Sequence, residues 1–127
     1  MIVAGVGFRR DTSVDEIEQI VRAALDAFGV APEDLGVLAT ESEKAKAPAF
    51  VAAASRLSVA AVGCAVSELG GVADRVLTPS RLVMATKGVP SIAEASALVV
   101  AGRNARLLGA RVASAGATCS IAIGDGR

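Results

Sequence analysis

Short apolar runs alternate along this chain with longer stretches whose apolar positions recur every third or fourth residue. Residues 2–7, IVAGVG, are uniformly apolar and short, the pattern of a buried strand. Ile17, Ile20, Val21, Ala24, Leu25 and Phe28 then follow the i, i+3, i+4, i+7 spacing and predict a helix with one apolar face. Ser13 is placed to cap that helix, Glu16 stands three positions on as in a capping box, and Gly29 closes it. Asp15, Glu16 and Glu18 put negative charge in the first turns, where the helix dipole favours it.

The design recurs. GVLAT, 36–40, predicts a second strand, the polar loop ESEKAKAP follows, and a helix is expected over roughly 48–57. SVAAVGC, 58–64, predicts a third strand. Residues 65–77, with Gly70-Gly71 inside, fit no period. Thr78-Pro79-Ser80 has the form of a helix start with Pro at the first position. Residues 88–102 repeat the capped design, Ser91 and Glu94 completing a second capping box. ARLLGARVA and ATCSIAIG predict two closing strands joined around Gly116. The order is β-α-β-α-β, then helices, then a β pair. It predicts one α/β domain over residues 1–127: three layers, α/β/α, around a mixed sheet of about five strands.

Composition refines this picture. The chain is 53% apolar, but alanine supplies much of that share and aromatic residues are only 2%, so the layers must pack closely through small side chains. So few aromatic residues exclude the stacking platforms of single-strand nucleic-acid binders. Acids and bases balance, which gives no global pull toward nucleic acid or a membrane surface. The balance is uneven along the chain: residues 1–43 hold nine acids and three bases, residues 44–127 four acids and ten bases. A basic second half suits an anionic ligand, although solvated helix faces would give the same count. There is no His, which removes the usual general base and metal ligand. Cys64 and Cys119 form no Cys-x-x-Cys pair, so two buried thiols in a reduced compartment are expected, with no metal site. MIVAGVG is too short for a secretory segment, and its arginines follow rather than precede it. The longest uncharged run, Val112–Gly124, is shorter than a membrane span. A cytoplasmic protein with no membrane contact is expected.

Three stretches carry candidate chemistry. GVGFRRDTS, residues 5–13, begins like a dinucleotide fingerprint, but Arg10 stands where the third glycine is needed. The same stretch also fits an anion clamp. Gly5 and Gly7 would admit a ligand to the backbone, Arg9 and Arg10 would leave the carboxyl end of the first strand, and Thr12 and Ser13 would sit at a helix N-terminus. A plain structural turn explains these residues equally well. In TESEKAKAP, Glu41, Glu43 and Lys44 follow the second strand, and a Lys beside carboxylates serves acid–base chemistry if buried. The helix starts at Ser80 and Ser91 offer hydroxyls and N–H groups, with Glu94 as a carboxylate; capping alone would also account for them.

Taken in order, GVGFRRDTS, ESEKAKAP, TPS, GVPSIAEASAL and ATCSIAIG resemble the CobE/CbiG C-terminal domain family of cobalamin biosynthesis proteins, over nearly the whole chain and in its stand-alone, CobE-like form. The resemblance implies a three-layer α/β domain with a role in building the corrin ring. For CobE-like members it implies binding of a corrin or precorrin intermediate of the aerobic pathway. For CbiG-like members it implies hydrolytic opening of a precorrin lactone. The family's glycine–arginine opening falls on Gly5, Gly7, Arg9 and Arg10, its Thr/Ser pair on Thr12 and Ser13, its lysine loop on Lys44, and its serine–glutamate helix start on Ser91 and Glu94. Phe8 and Asp11 depart from the family pattern, and LLGAR replaces the Pro-Lys that often follows the paired leucines of CbiG proteins.

Three functions are therefore in view: a corrinoid binder, a hydrolase, and a non-catalytic module for another pathway enzyme. The ligand-binding candidates are Gly5, Gly7, Arg9, Arg10, Thr12, Ser13, Glu43, Ser80 and Ser91, and the catalytic candidates are Lys44 and Glu94. No cofactor is expected, since any cobalt would belong to the ligand. The three stretches are expected to converge on one concave pocket.

Overall fold

The computed structural model describes residues 1–78, 84 and 91–127. Strand β1 spans Ile2–Phe8 and leads to α1, Val14–Ala27. Strand β2, Val37–Glu41, is followed by a single 3₁₀ turn at Lys44–Lys46 and by α2, Pro48–Arg56. Strand β3, Ala60–Cys64, leads to α3, Val66–Gly70, and to a second 3₁₀ turn at Ala73–Arg75. These two turns of helix occupy the stretch whose sequence fits no period. Helix α4 is Ile92–Ala101. Three strands follow: β4, Arg106–Leu107; β5, Val112–Ala113; and β6, Ala117–Ile123. The helix start expected at Thr78-Pro79-Ser80, and with it Ser80, lies outside the described residues except for Thr78.

Among the described residues the sheet has six strands, where about five were expected. Its order is β3-β2-β1-β6-β4, with β5 also on β6. β1, β2 and β3 are parallel, and β6 runs antiparallel to β1 over the whole of both strands, Ile2 opposite Ile123 and Phe8 opposite Ala117. The extra strand comes from a break in the expected ARLLGARVA run. β4 ends at Leu107 and pairing with β6 resumes at Val112; between them Gly109 passes so close to the end of α1 that a side chain there would lie 2.5 Å from the Phe28 ring.

Strand alternation sends Ala4 and Val6 to one face and Val3 and Gly5 to the other. On the first face α1 and α2 bury Ile17, Val21, Leu25 and Phe50. On the second, α4 lies so close to β1 that a Cβ on Gly5 would stand 2.0 Å from the Ala93 carbonyl oxygen. Helix α4 has eight buried residues of ten, half of them Ala, and no solvent face.

Both expected capping boxes form only by half. Ser13 accepts from the Glu16 N–H and Ser91 from the Glu94 N–H. The glutamates themselves are drawn to distant partners. Glu16 accepts from Gly116 N–H at 2.7 Å and Ser114 Oγ at 2.8 Å. Glu94 accepts from Thr78 N–H at 2.7 Å and Thr78 Oγ1 at 3.0 Å. In each case the carboxylate takes two tertiary donors in place of the one return bond to its cap.

Candidate functional site

The carboxyl end of β1 is where an open α/β sheet presents its ligand-binding edge, and it divides here into two cavities. Phe8 ends the strand with its ring on the α1/α2 side, stacked on Phe50 with centroids 5.9 Å apart and planes 9° from parallel. The 3₁₀ turn after β2 swings Lys44 over that ring. Its ammonium lies 5.1 Å from the Phe8 centroid and donates to the Phe8 carbonyl oxygen at 3.0 Å. Arg10 and Lys46 join from either side. Phe8, Arg10, Glu43, Lys44, Lys46 and Ala47 line an open cavity of ≈ 510 Å³ that gathers three cations against one carboxylate.

A smaller cavity, ≈ 210 Å³, lies on the other side of the same chain segment and is lined by Arg9, Asp11, Thr12, Glu16, Ala115 and Gly116. Thr12 is buried there. Its hydroxyl donates to the Gly116 carbonyl at 2.9 Å and accepts from the Arg9 N–H at 3.1 Å. Together with Glu16 it fastens the start of α1 to the turn before β6.

The expected single clamp is thus split. Consecutive arginines open onto different cavities, Arg10 with Lys44 and Glu43, Arg9 with Thr12. Ser13 is exposed and occupied as the cap of α1. Gly7 faces α4: a Cβ there would sit 2.9 Å from Thr118 Oγ1 and 3.6 Å from Ile92 Cβ. Gly5 is covered by α4, so the close approach that its missing side chain permits is that of a helix. Ser91 and Glu94 are fully buried at the start of α4, on the opposite side of the sheet from the Phe8 ring, with Glu94 committed to Thr78. Of the expected set, the described residues bring Arg10, Glu43 and Lys44 together. Lys46 and Phe8 were not among the candidates. The Lys44-x-Lys46 spacing in a polar loop signals the first, while the second needs the stack on Phe50.

Burial pushes the Cys64 thiol up to about 11, Arg127 opposing the shift, and pushes Cys119 up further, so neither is poised as a nucleophile. Among the described residues no group of three or more Cys, Asp or Glu could hold a metal ion, and no helix is long and apolar enough to cross a membrane.

Comparison with known proteins adds a consistent set of likenesses. Residues 2–122 match the family model described as the cobalamin synthesis G C-terminus. The chain is 38% identical over 121 residues to Protein CobE of Sinorhizobium sp, an alignment covering 95% of this chain and 79% of that protein. Among solved structures it is similar to CobE, a protein from the cobalamin (vitamin B12) biosynthetic pathway, with a TM-score of 0.93, 28% identity and coverage of 100% of this chain and 92% of the other. It is also similar to the cobalamin biosynthesis protein chiG from Agrobacterium tumefaciens str. C58, with a TM-score of 0.74, 32% identity and coverage of 98% and 99%.

Proposed function

Because the chain belongs to the family of the cobalamin synthesis G C-terminus and is a cobalamin biosynthesis protein, we propose that it binds a corrin-ring intermediate through the carboxylates at the ring's rim. The observation that carries this reading is the cavity that sets Arg10, Lys44 and Lys46 around the half-buried Phe8 ring. Early corrin intermediates are flat apolar macrocycles fringed with acetate and propionate groups. Ammonium and guanidinium groups on an open rim suit the fringe, and the cavity's apolar floor of Phe8 and Ala47 suits the edge of the ring. The cavity is too small for a whole macrocycle and is open, so it takes one or two carboxylate arms while the ring lies across its mouth. The hydrogen bonds of Glu94 to Thr78 favour a structural role for that carboxylate over a catalytic one.

The test is an absorbance titration with cobyrinic acid, a corrin bearing free carboxylates, beside its fully methyl-esterified derivative. The acid should bind, the ester should bind far more weakly, and affinity for the acid should fall as salt is raised. Arg10→Ala/Lys44→Ala/Lys46→Ala, folded by circular dichroism, should weaken the acid roughly ten- to hundredfold. Equal binding of acid and ester, or an unchanged affinity in the triple variant, overturns the reading. Turnover of a lactone-bearing intermediate would convert the binder into a hydrolase.

A further inference from the structure

The cavity contains one residue that the carboxylate reading uses only as apolar floor. Phe8 carries no charge. Its backbone oxygen accepts from Lys44 Nζ at 3.0 Å, its ring lies under the same ammonium at 5.1 Å, and the ring's other neighbour is Phe50, stacked at 5.9 Å. Phe50 is fully buried, whereas Phe8 and Lys44 are half-buried at the cavity wall.

We infer that Phe8 is a positioning residue for the ligand, helping to hold the Lys44 ammonium in its binding place before the ligand's carboxylate arrives; this rests on the carboxylate-binding reading above. A lysine side chain has four rotatable bonds and loses much of their freedom when an anion captures it. Ring and carbonyl together narrow that freedom in the unbound protein. The Phe50 stack fixes the ring, since Phe50 is anchored in the core of α2. The ring's attraction is electrostatic and directional, through its quadrupole, so an aliphatic side chain of similar bulk fills the space but does not hold the charge. The backbone oxygen alone fixes a distance, while ring and oxygen together fix a direction. That direction leaves the ammonium on the wall shared with Arg10 and Lys46.

The consequence is kinetic. Removing a charge lowers the rate of encounter and flattens its salt dependence, whereas loosening a charge that is still present mainly speeds dissociation. Phe8→Leu should therefore release cobyrinic acid roughly 3- to 30-fold faster, with the association rate and salt slope unchanged. Phe8→Tyr, which keeps an aromatic ring under the ammonium, should release the acid more slowly than Phe8→Leu. Lys44→Ala should slow association and reduce the salt slope, and Phe8→Leu added to Lys44→Ala should cost nothing more. If Phe8→Leu loses its cooperative melt, Phe8→Met, closer in volume and without a ring, replaces it. A ligand-free readout runs alongside: the Lys44 ε-methylene protons should be shifted upfield by the ring current, and the shift should vanish in Phe8→Leu. Equal effects of Phe8→Leu with and without Lys44, or unshifted methylene protons, overturn the assignment of Phe8 alone. Ring-shifted protons in a protein that does not bind the acid overturn the carboxylate reading and the role of Phe8 with it.

Discussion

The two faces of β1 solve the same packing problem in opposite ways. Toward α1 and α2 the strand presents Ala4, Val6 and Phe8, and the helices answer with Ile17, Val21, Leu25 and Phe50. Toward α4 it presents Val3, Gly5 and Gly7, and the helix answers with alanines and Ser96. The first interface is thick and built from large side chains, with a charged outer surface on α1. The second is thin: the helix backbone nearly touches the strand, and the helix itself is buried on every side. Large side chains lose contacts gradually when one is shortened, because neighbours partly collapse. Backbone against backbone leaves nothing to rotate aside, so the thin face should be the less forgiving.

The largest effect expected follows directly. Gly5→Val should abolish the native fold, since even its Cβ would fall 2.0 Å from the Ala93 oxygen and 2.7 Å from the Ala97 nitrogen, both backbone atoms. The measurement is the thermal unfolding transition, and a cooperative melt near that of the unmodified protein would show that α4 can slide. Next comes Leu25→Ala on the thick face, where a fully buried side chain is lost but the backbone remains in place. It should cost roughly 2–5 kcal/mol in urea denaturation while leaving the fold intact. A loss below 1 kcal/mol would mean that this face repacks as freely as a surface.

The smallest effect sharpens the comparison through the cysteines, one on each face. Cys119 is on the thick side and Cys64 on the thin side. Burial raises both thiols, Cys64 from 9.0 to about 11, where Arg127 partly offsets it, and Cys119 further. A raised value in the folded state means that the folded protein holds the proton more tightly than the unfolded chain. The stabilisation is therefore complete below pH 9 and lost as pH rises through the folded value. Urea midpoints should fall between about pH 9 and 11. Cys119→Ala should flatten that fall more than Cys64→Ala. The reverse order would place the drier environment on the thin face.

Much of the framework was legible in the residues because it rests on local signals. The period of Ile17 through Phe28 and Ser91 capping α4 both depend on near neighbours along the chain. What was not legible depends on contacts between distant segments. Glu16 and Glu94 read as return partners of their caps, yet each has better donors elsewhere, at Gly116 and Thr78. The break between β4 and β5, where Gly109 packs close against the Phe28 ring, is likewise a tertiary feature that no local pattern reveals. The site was half legible. Arg9 and Arg10 read together as one clamp, whereas consecutive residues leaving a strand point to opposite sides. The cationic character of the ESEKAKAP loop was legible, while the part played by Phe8 depends on a ring from α2.

The pairing of β1 with β6 has a consequence for how the protein is made. The two strands at the centre of the sheet pair residues on the order of a hundred positions apart, Phe8 with Ala117. During synthesis β1 leaves the ribosome first, and β2 and β3 can join it on one edge as they appear. Its other edge stays open until β6 emerges, long after α1 and α2 have been completed. From the emergence of β1 until that of β6 the nascent chain therefore carries an exposed apolar strand edge, a template for pairing with other chains. Closing the centre last also makes folding slow for a domain of this size, because the contacts that complete it are the most distant in sequence.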